Sequence, residues 1–173
     1  MFDCTRHLPM KTQYLLVVLL FTLSACGFHL RGSQQKTAAV TAKVHVINVS
    51  ARTVTPVLLE QLSAAGADAV SNIDKADYSL RLEREYFEQT VLSVSASTGK
   101  VEEYQVTLTL LLSIIDAKGT ELLLNEPIFM VRDYIFDEDA VLGKFSEEEV
   151  IRDELREQAA AEILLQFNSV IGK

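Results

Sequence analysis

Hydrophobic and polar positions alternate along most of this chain, and the period of the alternation changes from one segment to the next. Residues 43–49 alternate and are rich in β-branched side chains, which predicts a short strand. Thr55-Pro56 then offers an N-cap followed by proline at the first helical position. Val57, Leu58, Leu62 and Ala65 recur at helical spacing, and Gly66 is placed to end that helix. Tyr78, Leu80 and Leu82 alternate with Ser79, Arg81 and Glu83, the pattern of a half-buried strand. The strand continues with weaker alternation to residue 95, and Ser97-Thr98-Gly99-Lys100 is a turn signal. Tyr104, Val106, Leu108, Leu110, Leu112 and Ile114 mark a long strand whose even positions share one side. Asp116-Ala117-Lys118-Gly119 is a second turn, with glycine where a positive φ is usual. Residues 121–134 form the next strand, in which Pro127 lacks a donor and so predicts an edge position or a bulge. Residues 137–145 read as an acidic loop containing Lys144. Ser146-Glu147-Glu148-Glu149 is a capping box opening a helix with Ile151, Leu155, Ala159, Ile163, Phe167 and Val170 on one stripe. Its three glutamates suit the positive end of the helix dipole.

The predicted order is therefore β-α-β-β-β-α. One apolar stripe per helix and one apolar sheet face imply an α+β fold, with two helices packed on one face of a four-stranded mixed, mostly antiparallel sheet. Both stripes are then committed to the sheet, which leaves no spare apolar face. Strands of about 15 residues extend roughly 50 Å, so the hairpin tips are expected to project beyond the helices. The tip at 97–100 carries Lys100, and the loop before the last helix carries Lys144.

The first residues follow a different pattern. Lys11 precedes a run from Tyr14 to Leu23 of about ten mostly apolar residues, which is half the length a bilayer-spanning helix needs. A short apolar run behind a positive charge is the form of a secretory signal. Met10-Lys11 makes a more natural start than Met1. Leu23-Ser24-Ala25-Cys26 resembles the bacterial lipobox, in which small residues fit the signal peptidase and the cysteine takes a thioether-linked diacylglyceryl group. Two or three acyl chains hold a protein firmly where one binds marginally. Gly27 stands where aspartate would direct retention in the inner membrane, so the outer membrane is expected. The chain thus divides into a signal peptide at 1–25, a lipidated N-terminus and polar tether at 26–42, and an α+β domain at 43–173.

Charge and composition narrow the chemistry. The 173 residues carry a formal net charge of −8. Removing 1–25 takes away Arg6, Lys11 and Asp3, leaving 14 basic against 23 acidic side chains, net −9. Such a domain has the wrong field for nucleic acid, so any anionic ligand must be met by a local basic cluster. Cys4 is lost with the signal and Cys26 is left single, so no intramolecular disulfide forms. Only His29 and His45 remain beside it, which does not make a zinc set. There is no G-x-S-x-G nucleophile elbow and no phosphate loop. Glu102 and Glu103 point to opposite faces of a strand, and Glu147-Glu148-Glu149 is a cap. His45 reads as a surface or partly packed strand residue. No catalytic residue, cofactor or metal is expected.

Cys26-Gly27-Phe28-His29-Leu30-Arg31-Gly32 resembles the mature start of the lipopolysaccharide-assembly lipoprotein family LptE. Gly99 followed by Glu103-Tyr104-Gln105 is similar to that family's central hairpin. Asp133-Tyr134-Ile135-Phe136-Asp137 and Leu142-Gly143-Lys144 also resemble it. The resemblance covers essentially the whole chain after Cys26 and implies two helices on a four-stranded sheet. It implies partners too: the LptD outer-membrane β-barrel, which the family plugs and helps assemble, and lipopolysaccharide, which is delivered to the outer leaflet. The family's lipopolysaccharide-contacting positions fall on Lys144 and near Ser97, where Lys100, three residues on, supplies the basic side chain instead. The competing reading is a free-standing periplasmic lipid carrier, which would need a closed apolar pocket.

Overall fold

The computed structural model describes residues 41–136 and 141–172, with the side chains of the last helix described from Glu148 onward. The expected signal peptide, Cys26 and the expected tether up to residue 40 lie outside the described residues. Five strands and two helices follow one another as β1 (Lys43–Asn48), α1 (Val54–Ala64), β2 (Asp68–Ala69), β3 (Tyr78–Val94), β4 (Val101–Asp116), β5 (Glu121–Ile135) and α2 (Val141–Ile171), with a 3₁₀ turn at Ile73–Lys75. The sheet order is β2-β1-β3-β4-β5. β1 runs parallel to β2 and β3, while the β3–β4 and β4–β5 pairs are antiparallel. The mixed sheet under two helices matches the expected class, with one strand more than expected. β2 has only two residues, too few to show a period of two in the sequence.

The core lies between the sheet and the helices. Val106, Leu108, Leu110, Leu112 and Ile114, successive even positions of β4, are all fully buried. Leu80 and Leu82 of β3 and Ile128 of β5 join them. From above come Leu58 and Leu62 of α1 and Ile151, Leu155, Ala159, Ile163 and Phe167 of α2, the stripe read from the sequence. Each fully buried Leu, Ile or Phe contributes roughly 1.5–3 kcal/mol. Tyr78 closes one end of this layer by meeting Phe167 edge-on, with ring centroids 5.5 Å apart.

Helix α1 begins at Val54, so its N-cap position, Thr53, lies two residues before the expected cap, and the cause lies on another element. The β3–β4 register shifts by one residue between Glu83 and Tyr86, where Arg84 has φ 56°. This bulge turns Glu85 toward the start of α1, as bulges commonly re-aim a side chain. The Glu85 carboxylate accepts from the Thr53 amide (3.0 Å), the Val54 amide (3.4 Å) and the Thr53 hydroxyl. It therefore satisfies amides that the first turn leaves without helical partners, and brings negative charge to the dipole's positive end. Pro56 sits in that same first turn, where its missing N–H costs nothing. At the other end Gly66 (φ 90°) performs as expected: the Ala67 amide reaches Leu62 O and the Gly66 amide reaches Ser63 O. These are the paired bonds of a Schellman ending.

Helix α2 starts at Val141, five residues before the expected capping box, so Lys144 lies within its first turn and not in a loop. Glu148 and Glu149 are engaged along the helix instead of capping it. Glu148 receives two bonds from Arg152, at 3.0 and 2.7 Å, and Glu149 pairs with Arg156 at 3.0 Å. Glu148 stands four residues before Arg152, the favourable orientation of such a pair, while Glu149 reaches an arginine seven residues on. Arg152 and Arg156 both lie over the Phe87 ring, at 4.7 and 5.2 Å. Arg156 also donates to Thr53 Oγ1 at 3.0 Å, which joins α2 to the Glu85 cap.

The turn at 116–120 behaves as its sequence predicts. Asp116 Oδ1 accepts from the amides of Thr120 (2.7 Å) and Lys118 (2.8 Å), with Gly119 at φ 81°. Above all the Thr120 amide bond holds the Asp116 carboxyl below its ordinary 3.8. A depressed carboxyl pKa gives stability that is present above the unfolded value and lost as pH falls through the folded one. In Asp116→Ala the melting temperature should fall at pH 7, and the gap to wild type should close below about pH 4, as thermal melts across pH will measure. Glu85→Ala should lower stability by about 1–2 kcal/mol through loss of the cap, read by urea denaturation.

Candidate interaction surface

Because the even positions of β4 face the helices, its odd positions face away; no helix among the described residues lies over them, and Thr109 and Ser113 are buried only by their neighbours within the sheet. Register places them in rows across β3, β4 and β5. Tyr86, Thr109 and Phe129 form one row, Glu88, Thr107 and Val131 the next. Thr90, Gln105 and Asp133 follow, then Ser93, Glu103 and Ile135. On this outer face Phe129 is 58%, Val131 49%, Ile135 74% and Tyr86 52% exposed. The polar rows between them are held by local bonds. Gln105 Nε2 donates to Asp133 Oδ1 (2.9 Å), and the Ser93 hydroxyl to Glu103 Oε2 (2.9 Å). Apolar side chains at this density on an unpacked sheet face mark a surface for another molecule.

This overturns the expectation that the fold has no spare apolar face. The helices cover one side of the sheet only, and β5 is apolar on both. The signal was present in Ile128-Phe129-Met130-Val131, an unbroken apolar run of the kind strands show when both faces are to be covered.

The residues of the two hairpin motifs divide by parity. Tyr104, Tyr134 and Phe136 lie on the inner face, where Tyr104 stacks on Tyr134 at 5.8 Å and meets Phe136 edge-on at 5.0 Å. Gln89 Nε2 donates to the Tyr134 hydroxyl at 2.6 Å. Glu103, Gln105, Asp133 and Ile135 lie outside, in adjacent rows. The motifs thus mark one cross-strand patch with two faces.

The expected lipopolysaccharide contacts are placed as follows. Lys100 is exposed in the β3–β4 turn, where its amide donates to Thr98 Oγ1 at 3.3 Å, and it takes part in a further interaction. The Lys144 side chain lies outside the described part of α2, as does Cys26 of the chain's start. At the tip Val91, Leu92 and Val94 are about half exposed, so described residues leave this end of the hairpin uncovered. Among the described residues no three His, Cys, Asp or Glu side chains gather as a metal site. His45 Nδ1 bonds Val70 O at 2.8 Å and ties β1 to the segment after β2.

A two-layer domain with one bare, partly apolar sheet face and aromatic hairpin motifs now has its counterpart among known proteins. The family model described as LptE: Lipopolysaccharide-assembly matches residues 39–167. The chain belongs to the LptE family. A relative from Pectobacterium atrosepticum, called LPS-assembly lipoprotein LptE, is 29% identical over 168 residues, covering 96% of this chain and 89% of its own. A solution structure of lipoprotein B from Nitrosomonas europaea superposes with TM-score 0.71 at 25% identity, over 84% of this chain and 93% of that one. The crystal structure of rare lipoprotein B from Shewanella oneidensis gives TM-score 0.62 at 26% identity, over 73% and 94%. As an LptE-family protein the chain has a role in lipopolysaccharide assembly and transport.

The outer face can be tested apart from any partner. Phe129→Glu should change the melting temperature by less than a few degrees, because its side chain touches solvent. Leu110→Glu, on the same row scale but facing inward, should prevent folding, since a buried unpaired charge costs several kcal/mol. Circular dichroism of both variants checks the assignment of faces.

Proposed function

We propose that this protein is an outer-membrane lipoprotein, anchored through a lipidated Cys26, that plugs the LptD β-barrel and helps it assemble and deliver lipopolysaccharide to the outer leaflet. The observation that carries the reading is the bare outer sheet face with Tyr86, Phe129, Val131 and Ile135 in adjoining rows. A domain working alone in water would gain by polar residues there. A plug gains by apolar anchors set among polar rows, because a barrel lumen is wet but presents a wall to pack against.

The carrier reading fits less well. The groove between β5 and α2, about 540 Å³, is open to solvent and lined by Arg132, Asp133 and Glu154 as well as Val150 and Ile151. An acyl chain needs an enclosed apolar pocket. The sheet-helix interface is already filled by side chains.

Lipopolysaccharide contact is assigned to Lys100 and Lys144, acting on the phosphates of the glucosamine head as point charges. Lys100→Glu combined with Lys144→Glu should weaken lipopolysaccharide binding at least tenfold with an unchanged melting temperature, measured by titration with fluorescent lipopolysaccharide. Binding equal to wild type would remove this contact and leave the plug reading standing.

For the plug itself, native protein extracted in mild detergent should leave the membrane bound one-to-one to a barrel far larger than itself. Phe129→Glu with Ile135→Glu should reduce that yield by roughly thirtyfold, the effect of losing central interface anchors of about 2 kcal/mol. A protein recovered alone under these conditions would overturn the proposal.

A further inference from the structure

The two edges of the sheet are unlike. One ends in the two-residue β2, too short to template another strand. The other is β5, fifteen residues long and, among the described residues, paired on one side only. Its lower half is blunted: the register shifts twice between Glu121 and Glu126, Asn125 has φ 50°, and Pro127 has no N–H to offer. Its upper half, from 128 to 135, has no such guard.

Hydrogen bonding fixes which groups are free there. The Phe136 amide donates to Glu102 O at 2.7 Å. Alternation in an antiparallel pair then turns the even-numbered backbone groups toward β4 and the odd-numbered ones outward. The amides and carbonyls of Phe129, Val131, Asp133 and Ile135 therefore line the open edge. Pro127 fits the same parity, since its missing donor also falls on the outside. Beside this edge runs the 540 Å³ groove, between residues 132–135 and Val150, Ile151 and Glu154 of α2. A strand laid about 4.8 Å from β5 would place its inward side chains in that groove and its outward ones beside Phe129 and Val131. An edge strand flanked by a helix is the arrangement that accepts an added peptide strand.

We propose that the upper edge of β5 is a strand-addition site for an extended, basic segment of the barrel partner. This rests on the plug reading. Main-chain donors and acceptors in a row complement only another extended backbone, and a loop folded into a barrel lumen supplies one. The charge follows from the site: Arg132 is already paired with Glu154 at 3.1 Å, which leaves Asp133 as uncompensated charge on a chain of net −8. Opposite charges across adjacent strands stabilise the pairing.

The test is residue-resolved hydrogen exchange on the full lipidated chain, free and in its detergent-extracted complex with the barrel. The amides of Val131 and Asp133 should exchange at least tenfold more slowly in the complex. Val131→Pro removes one outward donor without touching a β4 bond, and should weaken the complex at least tenfold while the free chain keeps its melting temperature. A complex that forms while those amides keep their free rates overturns strand addition and leaves the plug reading intact. Protection in a dimer of the free chain would make a second copy the occupant and overturn the proposal as well. Recovery of the chain without any barrel refutes the plug reading itself. If Val131→Pro fails to fold, the wild-type exchange rates decide.

Discussion

Everything in this fold depends on burying one face of one sheet. The even side chains of β4 from Val106 to Ile114 are fully buried because α1 and α2 lie across them, and the strands beside β4 are held in register by that packing. A one-residue slip would exchange this face for Thr107, Thr109 and Ser113, so the register is strongly specified. Two helices supply one covering layer. No helix among the described residues lies across the opposite face of the same sheet.

The tie between layers is polar and specific as well as apolar. A bulge in β3 sends Glu85 to cap α1, and Arg156 from α2 reaches the same Thr53 while lying over Phe87. Helix start, strand irregularity and the second helix are thereby joined at one place. Such networks are partly exposed, and their weight lies in fixing how the helices sit and less in raw stability. A fixed inner layer makes the outer face a rigid platform. Its rows alternate apolar anchors with hydrogen-bonded polar pairs, a composition suited to a partner surface that is itself wet. In a protein of lipopolysaccharide assembly such a platform has a use, because its two dissimilar faces can meet dissimilar surroundings.

Much of this was legible in the sequence. The even positions 106–114 of β4, the α2 stripe, Gly66, the Asp116 turn and the edge character of Pro127 are all legible there, because each depends on neighbours within a few residues and on a backbone period. The bounds of the helices were not. Thr55 looked like a cap, but the cap is Glu85, thirty positions away. Glu148 and Glu149 looked like a cap, but arginines one and two turns on engage them, and α2 begins earlier, taking Lys144 into its first turn.

The sequence by itself determined the element types, the buried face and the family, since periodicity, turn chemistry and short motifs are local properties of the chain. Tertiary structure alone decided which stretch of the β5 edge is left unpaired among the described residues, that a bulge supplies a helix cap, and that Phe129, Val131 and Ile135 share one outer face. The physical reason is that edges, caps from afar and uncovered faces belong to the pairing of segments far apart in sequence, and no single segment encodes what will lie beside it.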